Sequence, residues 1–138
     1  MVNAEPIKER LKLIDENLPI LKELKVIPLD KFKDDKKLQR LAERCLELSI
    51  QSLLDIAHYI IAQNNWKRSS ENKEAILTLG AKGIIPEDFA KKIEPMAGLR
   101  NLLAHEYMEI DPVKIHAHLQ NLEYFREFIR HILKYIEK

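Results

Sequence analysis

An arginine and a histidine near the end of one predicted helix are the residues whose types could do chemistry together. Arg100 and His105 are separated by four residues, and Asn101 lies between them. A guanidinium is always charged and can place two donors on phosphate oxygens, whereas an imidazole titrates near neutral pH. These groups suit phosphodiester cleavage without a metal. The histidine would move the proton of a ribose 2′-OH or of the leaving 5′-oxygen, and the arginine would stabilise the charged transition state.

The spacing of this pair leaves its geometry open. Successive residues of an ideal helix are about 100° apart, so Arg100 and His105 would point roughly 140° apart on a straight helix. They can converge if the helix frays or bends at its end, or if a second subunit closes the site. In-line cleavage needs both a base and an acid, and one motif supplies one titrating group. The chemistry therefore predicts a two-fold homodimer that brings two such pairs into one cleft.

Patterns for metal or nucleotide cofactors are missing from the sequence. His116 and His118 are two residues apart, which is the wrong spacing for two ligands on one helix face. His105 and Glu106 are followed by Glu109 where an H-E-x-x-H zinc site needs its second histidine. We therefore predict no metal and no cofactor. The remaining histidines are expected to be packed or at the surface: His58, His116, His118 and His131.

Two polar rows mark the long second helix of the chain. The first row lies within an otherwise apolar stretch and could face a cleft, a subunit interface or water: Glu47, Gln51, Asp55 and His58. The second row is basic and lies nearer the start of the helix: Lys36, Lys37, Arg40 and Arg44. A basic row of this kind is either a solvated helix face or a contact for phosphate.

Composition predicts one soluble globular domain, residues 1–138. Of these residues, 46% are apolar and 33% are charged, and the net charge is +1. With so small a net charge, binding to nucleic acid would require a local patch. No apolar segment is expected to act as a signal peptide or to span a membrane. The single Cys45 rules out an internal disulfide, is expected to be a buried packing thiol, and is compatible with the cytoplasm.

Apolar residues recur at helical spacing almost throughout the chain, and no alternating strand pattern stands out. The sequence predicts an all-α, mostly antiparallel up-and-down bundle of about five helices with short connections. Asp34 and Asp35 can cap a long second helix from about Lys36 to Gln63. The apolar row of that helix is predicted to face the core: Leu38, Leu41, Cys45, Leu48, Ser52, Ile56 and Tyr59.

Prolines, glycines and capping residues predict the other helix ends. Pro19 predicts a kink or break in the first helix near Leu18. Ser70 is expected to cap a short helix that Gly80 ends. The helix leading to the Arg–His pair is expected to bend at Pro95 and to reach about residue 105. The last helix is expected to begin at Asp111–Pro112.

The stretch Arg100–Tyr107 resembles the R-N-x-L-x-H-x-Y signature of the HepT-like branch of the HEPN superfamily. The flanking sequence resembles that branch too, so that the likeness covers about two thirds of the chain. Two residues differ from the common pattern: Pro95 interrupts the helix before the motif, and Ala104 is smaller than usual. The similar flanking stretches are Arg44–Ile61, Gly83–Ile85, Met96–Leu99 and Tyr107–Pro112.

The resemblance implies a HEPN-like helical bundle that forms a homodimer with paired motifs at its interface. It further implies a metal-independent endoribonuclease that acts on RNA. This ribonuclease would be the toxin of a type VII-like toxin–antitoxin pair, and the antitoxin would be a minimal nucleotidyltransferase. By the same resemblance, Arg100 and His105 are catalytic, Asn101 supports them, and Tyr107 is adenylylated by the antitoxin, which silences the toxin. The alternative is a non-catalytic HEPN module that binds and serves a nucleotidyltransferase.

Overall fold

The computed structural model describes residues 3–105 and 109–137, which form α-helices joined by short connections. Within these ranges there is no β-strand, so the predicted all-α class is confirmed. The described residues contain more helices than the predicted five, because two of the expected helices are divided and one further short helix was not predicted. In chain order the elements are α1 (Glu5–Lys25), α2 (Leu29–Phe32), α3 (Lys36–Gln63), α4 (Asn72–Ala81), α5 (Glu87–Ile93), α6 (Pro95–Ala104), α7 (Pro112–His118), a 3-10 turn (Leu119–Asn121) and α8 (Glu123–Glu137).

Helix α3 is the central element of the bundle. It contacts α1, α4, α6 and α7. Helix α1 runs antiparallel to it, because Asn3, just before α1, accepts hydrogen bonds from Tyr59 and Gln63 near the end of α3 at 3.0 and 3.1 Å. Among the described helices, α3 alone is long and apolar enough to cross a membrane by length and composition. Since 61% of that apolar window is buried inside the bundle, α3 has the character of a core helix.

The predicted limits of α3 are confirmed. Its first backbone N–H groups are capped by the Asp35 carboxylate, which accepts from the amides of Lys37 and Leu38 at 3.0 and 3.2 Å. The predicted core row is wrong at one position, since Leu41 is 43% exposed. The buried stripe at this end of α3 passes through Gln39, Ala42 and Leu46, and position 42 is about 100° further round the helix than position 41.

A kink or break was predicted in the first helix near Leu18, and the break is wrong. Helix α1 continues through Pro19 as one element. A proline cannot donate a hydrogen bond to the carbonyl four residues earlier, which belongs to Asp15. Both residues are exposed, so water can satisfy that carbonyl and the helix tolerates the loss.

The ends of α4 also differ from the prediction. Ser70 is not the cap: α4 begins after Glu71, whose amide is bonded by the Ser69 hydroxyl oxygen at 3.1 Å. Gly83, with φ of 75°, ends the helix in place of Gly80. The amides of Gly83 and Ile84 bond back to the carbonyls of residues 80 and 79, the pattern of a Schellman turn. Gly80 is buried instead. A glycine is required there because a Cβ would lie 2.7 Å from the Cβ of Ala90.

Two predicted helices are divided in the structure. The expected bend at Pro95 separates α5 from α6, since α5 ends at Ile93. Asp111 caps α7 as predicted and accepts from the amide of Val113 at 2.9 Å. The prediction of a single last helix is wrong, because the 3-10 turn lies between α7 and α8. Leu119, in this turn, and Leu122, directly after it, are both buried.

Candidate active site

Helix α6 carries the Arg–His motif and packs on α3 through one apolar stripe. Leu99 and Leu103 of this stripe are buried in the core. Arg100 lies on the flank of the stripe and is half-buried. A guanidinium in that position must find hydrogen-bond acceptors on the neighbouring helix.

Gln51 of α3 provides the main acceptor for Arg100. The Arg100 Nε donates to Gln51 Oε1 at 2.6 Å, and Nη1 donates to Asn101 Oδ1 at 3.3 Å. Gln51 in turn donates through Nε2 to Asp55 Oδ1 at 2.7 Å. The second oxygen of Asp55 accepts from Nε of Arg10, on α1, at 3.4 Å. A continuous polar network therefore joins α6, α3 and α1, and it fixes the direction of the Arg100 side chain.

His105 directly follows the last residue of α6. Its backbone has φ of −91° and ψ of 82°, so it leaves the helical path, and its amide bonds to the Leu102 carbonyl at 3.3 Å. This is one of the two geometries that the five-residue spacing left open. The exposed His105 ring lines a cavity of about 330 Å3 between the end of α6 and the first half of α3. The described lining residues are Arg40, Glu43, Arg44, Glu47, Leu103 and His105.

The structure brings some predicted site residues together and separates others. Arg100, Asn101, Gln51 and Asp55 belong to one network, whereas Glu47 lies with His105 in the cavity. Among the residues that the structure describes, Arg100 is not part of that cavity's lining. His58, the last residue of the predicted polar row, is bonded to Asn72 of α4 at 2.9 Å. Tyr107 lies outside the described residues.

Two parts of the site were not anticipated from the sequence. Arg10 lies 45 residues before its partner Asp55, and no motif marks it. Arg40 and Arg44 were noted as a basic row, but only the packing of α6 on α3 brings them beside His105. A signal was present for these two, because a basic row on a helix is either a solvated face or a contact for phosphate.

The remaining reactive groups have structural roles. Cys45 is buried, and burial raises the pKa of its thiol, an effect that the nearby Arg44 charge partly opposes. A neutral buried thiol is a packing group, as predicted. His116 bonds to the Ile27 carbonyl at 2.8 Å, and its ring packs on Phe32. In the described part of the chain, no three His, Cys, Asp or Glu side chains are grouped to hold a metal ion.

Replacement of Gln51 by alanine tests the network. The Gln51→Ala variant leaves the half-buried Arg100 and Asp55 groups without their shared partner, so we expect the free energy of unfolding to fall by about 1 kcal/mol. The measurement is chemical denaturation followed by circular dichroism. Gln120→Ala is the matched control, because Gln120 is exposed and bonds only to the nearby His116 carbonyl. Equal unfolding midpoints for the two variants would contradict a stabilising role for Gln51.

Comparisons with known proteins agree with this architecture. Residues 9–132 match the family described as Ribonuclease HepT-like. The chain is 36% identical over 139 residues to the tRNA nuclease HepT of Aphanizomenon flos-aquae, an alignment that covers 99% of this chain and 95% of that protein. It is 27% identical over 99 residues to the mRNA nuclease HepT of Shewanella oneidensis, with 71% of this chain and 74% of that protein covered.

The fold is similar to that of a solved structure of the tri-AMPylated Shewanella oneidensis HEPN toxin in complex with MNT antitoxin. The TM-score is 0.84, and the alignment covers 96% of this chain and 99% of that one. At 23% identity this likeness concerns the fold. The family match spans most of the chain, and the identity to the Aphanizomenon protein extends over nearly its full length. The chain therefore belongs to the HepT-like ribonuclease family, as the motif and its flanks predicted.

Proposed function

We propose that this protein is the toxin of a type VII-like toxin–antitoxin pair and that it cleaves RNA internally without a metal. It would act in the cytoplasm as one domain, residues 1–138. The observation that carries the proposal is the hydrogen bond from Arg100 to Gln51, which holds the motif arginine on the same face of α3 that borders the His105 cavity. Membership of a ribonuclease family and the two relatives named as RNA nucleases support it.

The chemistry assigned to the motif is an in-line transfer at phosphorus. A histidine takes the proton of the ribose 2′-OH, and the 2′-oxygen forms a bond to phosphorus. The bond from phosphorus to the 5′-oxygen breaks, and that oxygen leaves with a proton from an acid. Arg100 stabilises the negative charge that develops on the non-bridging oxygens. Because Arg100 donates through Nε to Gln51 and through Nη1 to Asn101, the remaining N–H donors of the guanidinium are pre-oriented before RNA binds.

A homodimer would supply the second titrating group. Within one chain, Arg100 lies in the Gln51 network and His105 lies in the adjacent cavity, so a single copy offers one histidine and an incomplete cleft. A two-fold axis beside α6 would bring together two Arg100 and two His105 side chains. Leu41 supports such a contact, since this exposed leucine lies one turn before Arg44 on the surface of α3. A second copy could cover it.

The proposed regulator is a minimal nucleotidyltransferase antitoxin that adenylylates Tyr107. The family resemblance gives Tyr107 this role, and the structural relative in complex with MNT antitoxin is a tri-AMPylated toxin. Tyr107 lies two residues beyond His105 in sequence. An adenylyl group so close to the histidine would add bulk and negative charge, and it would repel the phosphates of RNA.

The alternative function is a non-catalytic module that binds and serves a nucleotidyltransferase. The specific observation in its favour is that Arg100 already donates to both Gln51 and Asn101, which is also the arrangement of a purely structural arginine. In that case His105 would be a polar interface residue. Substitution of the motif distinguishes the two functions, because a binding module keeps its partner but has no activity to lose.

Substitution of the two motif residues tests catalysis. His105→Ala and Arg100→Ala should each lower RNA cleavage by about 100-fold or more and abolish growth arrest on expression, because each removes a group that acts on the transition state. Cleavage of labelled RNA by purified protein gives the rate. Circular dichroism should report unchanged helix content in both variants.

His118→Ala and Arg130→Ala are the matched controls, since both side chains are exposed on other helices. They should retain cleavage. Folded Arg100 and His105 variants that still cleave RNA and arrest growth would refute the catalytic assignment. If the wild type does not cleave RNA but binds the nucleotidyltransferase, the result would favour the interaction module.

Incubation with the nucleotidyltransferase and ATP tests the regulation. The wild-type chain should gain the mass of one or more AMP groups on Tyr107, and the modified protein should lose RNA cleavage. Tyr107→Phe should gain no mass and should remain active in the presence of the antitoxin. The measurement is mass spectrometry of the intact chain and of its peptides. An unchanged wild-type mass, or an AMP group on the Tyr107→Phe variant, would contradict this site.

A further inference from the structure

A row of three cations continues the face of α3 that holds Arg100. Lys36, Arg40 and Arg44 follow one another at four-residue spacing, and Glu47, Gln51 and Asp55 extend the row. At about 100° per residue, all six positions fall within one arc of about 100°. Arg100 contacts this face at Gln51, and His105 borders it at Arg40 and Arg44. The cationic part therefore leads away from the motif toward the start of α3.

The arginine heads of this row are exposed, whereas their carboxylate partners are largely covered. Arg40 pairs with Glu43 at 3.4 Å, and their side chains are 59% and 18% exposed. Arg44 pairs with Glu47 at 3.3 Å, with 62% and 23% exposed. A guanidinium has five N–H donors. The exposed edge of each arginine can therefore bind another anion while the rest of the group stays paired with its glutamate.

The row starts at the end of α3 that favours anions. The N-terminus of a helix carries partial positive charge, which favours acidic residues in the first turn and disfavours lysine and arginine. Helix α3 begins with Lys36 and Lys37, and the carboxylate of its cap, Asp35, offsets part of their charge. Lys36 reaches Glu109 only at 3.8 Å, and both side chains are mostly exposed. The Lys36 ammonium group is therefore available to a further anion.

We propose that Lys36, Arg40 and Arg44 bind successive phosphates of the RNA strand as it leaves His105 along the start of α3. This inference rests on the proposed ribonuclease function and adds the path of its substrate. Residues four apart on a helix are separated by about 6 Å along the axis, so each cation can meet a different phosphate of one single strand. The cavity of about 330 Å3 that Arg40 and Arg44 share with His105 joins this path to the motif. Phosphate contacts of this kind set the register of the strand and do not read its sequence.

The test measures how RNA binding depends on salt. The parent is the full-length His105→Ala variant, which keeps the RNA uncut, and the probe is a fluorescently labelled single-stranded RNA oligonucleotide. Into this parent we introduce Arg40→Gln and Arg44→Gln together. Each lost phosphate contact on a single strand should lower the slope of log affinity against log salt by about 0.7, so the double variant should lose about 1.4. Its affinity at low salt should fall about tenfold or more.

Two matched controls separate phosphate contact from structural effects. Arg40→Lys with Arg44→Lys retains both charges and should recover most of the slope. Arg130→Gln removes an exposed arginine of α8 that forms the same kind of pair, with Glu127 at 3.8 Å, and should leave the slope unchanged. If the double glutamine variant unfolds, Arg44→Gln alone should give half of the slope change.

The outcomes distinguish failure of this inference from failure of the proposed function. A wild type that cleaves RNA, together with an unchanged salt slope in the folded double variant, would overturn the phosphate path alone. A variant that keeps its RNA slope but loses binding to the nucleotidyltransferase would assign the row to the protein partner and would also overturn it. Absence of RNA binding and of cleavage in the wild type would overturn both.

Discussion

The hydrogen bond between Arg100 Nε and Gln51 Oε1 is the interaction on which the rest of the site depends. A half-buried guanidinium without acceptors would oppose the packing of α6 on α3, because desolvated charge is costly. Gln51 accepts from Arg100 at 2.6 Å and itself donates to Asp55, which also accepts from Arg10 of α1. The apolar contacts of Leu99 and Leu103 hold the helices together, and the polar network sets their register. The start of the motif is thus anchored to the core of the bundle.

The reactive part of the motif begins where this rigid packing ends. Helix α6 stops at Ala104, so that His105 leaves the helical path directly after a well-anchored arginine. Electrostatic stabilisation is most effective when donors are fixed before the reaction, whereas proton transfer needs a group that can reach its partner. The proposed roles assign the first condition to Arg100, which is held by Gln51, and the second to His105, which follows the end of the helix. The cationic row of α3 then extends the site along a surface that an RNA strand could follow.

Local chemistry made much of the fold predictable. The carboxylate of Asp35 and the long apolar periodicity gave both ends of α3, and Asp111 gave the start of α7. The errors arose where tertiary context competes with local preference. Gly80 was expected to end α4, but close packing against Ala90 explains that glycine, and Gly83 supplies the positive φ. Pro19 was expected to kink or break α1, but the helix does not break there, because the exposed position of Pro19 makes the lost hydrogen bond tolerable.

The candidate site was predictable in part for the same reasons. The residue types and the family resemblance identified Arg100, Asn101 and His105, and the polar row on α3 drew attention to Gln51 and Asp55. The pairing of Arg100 with Gln51 spans 49 residues, and that of Arg10 with Asp55 spans 45, so neither follows from sequence spacing. Only the crossing of α6 over α3 shows that Arg40 and Arg44 border His105. Helical periodicity places residues on a face, but it does not say which other face they meet.

End-group analysis of RNA cut by the purified protein in excess EDTA tests metal-independent in-line cleavage most directly. Attack by the 2′-oxygen predicts one fragment that ends in a 2′,3′-cyclic phosphate and another that begins with a free 5′-hydroxyl. Fragments that carry a 3′-hydroxyl and a 5′-phosphate, or cleavage that stops in EDTA and returns with Mg²⁺, would contradict the roles given to Arg100 and His105.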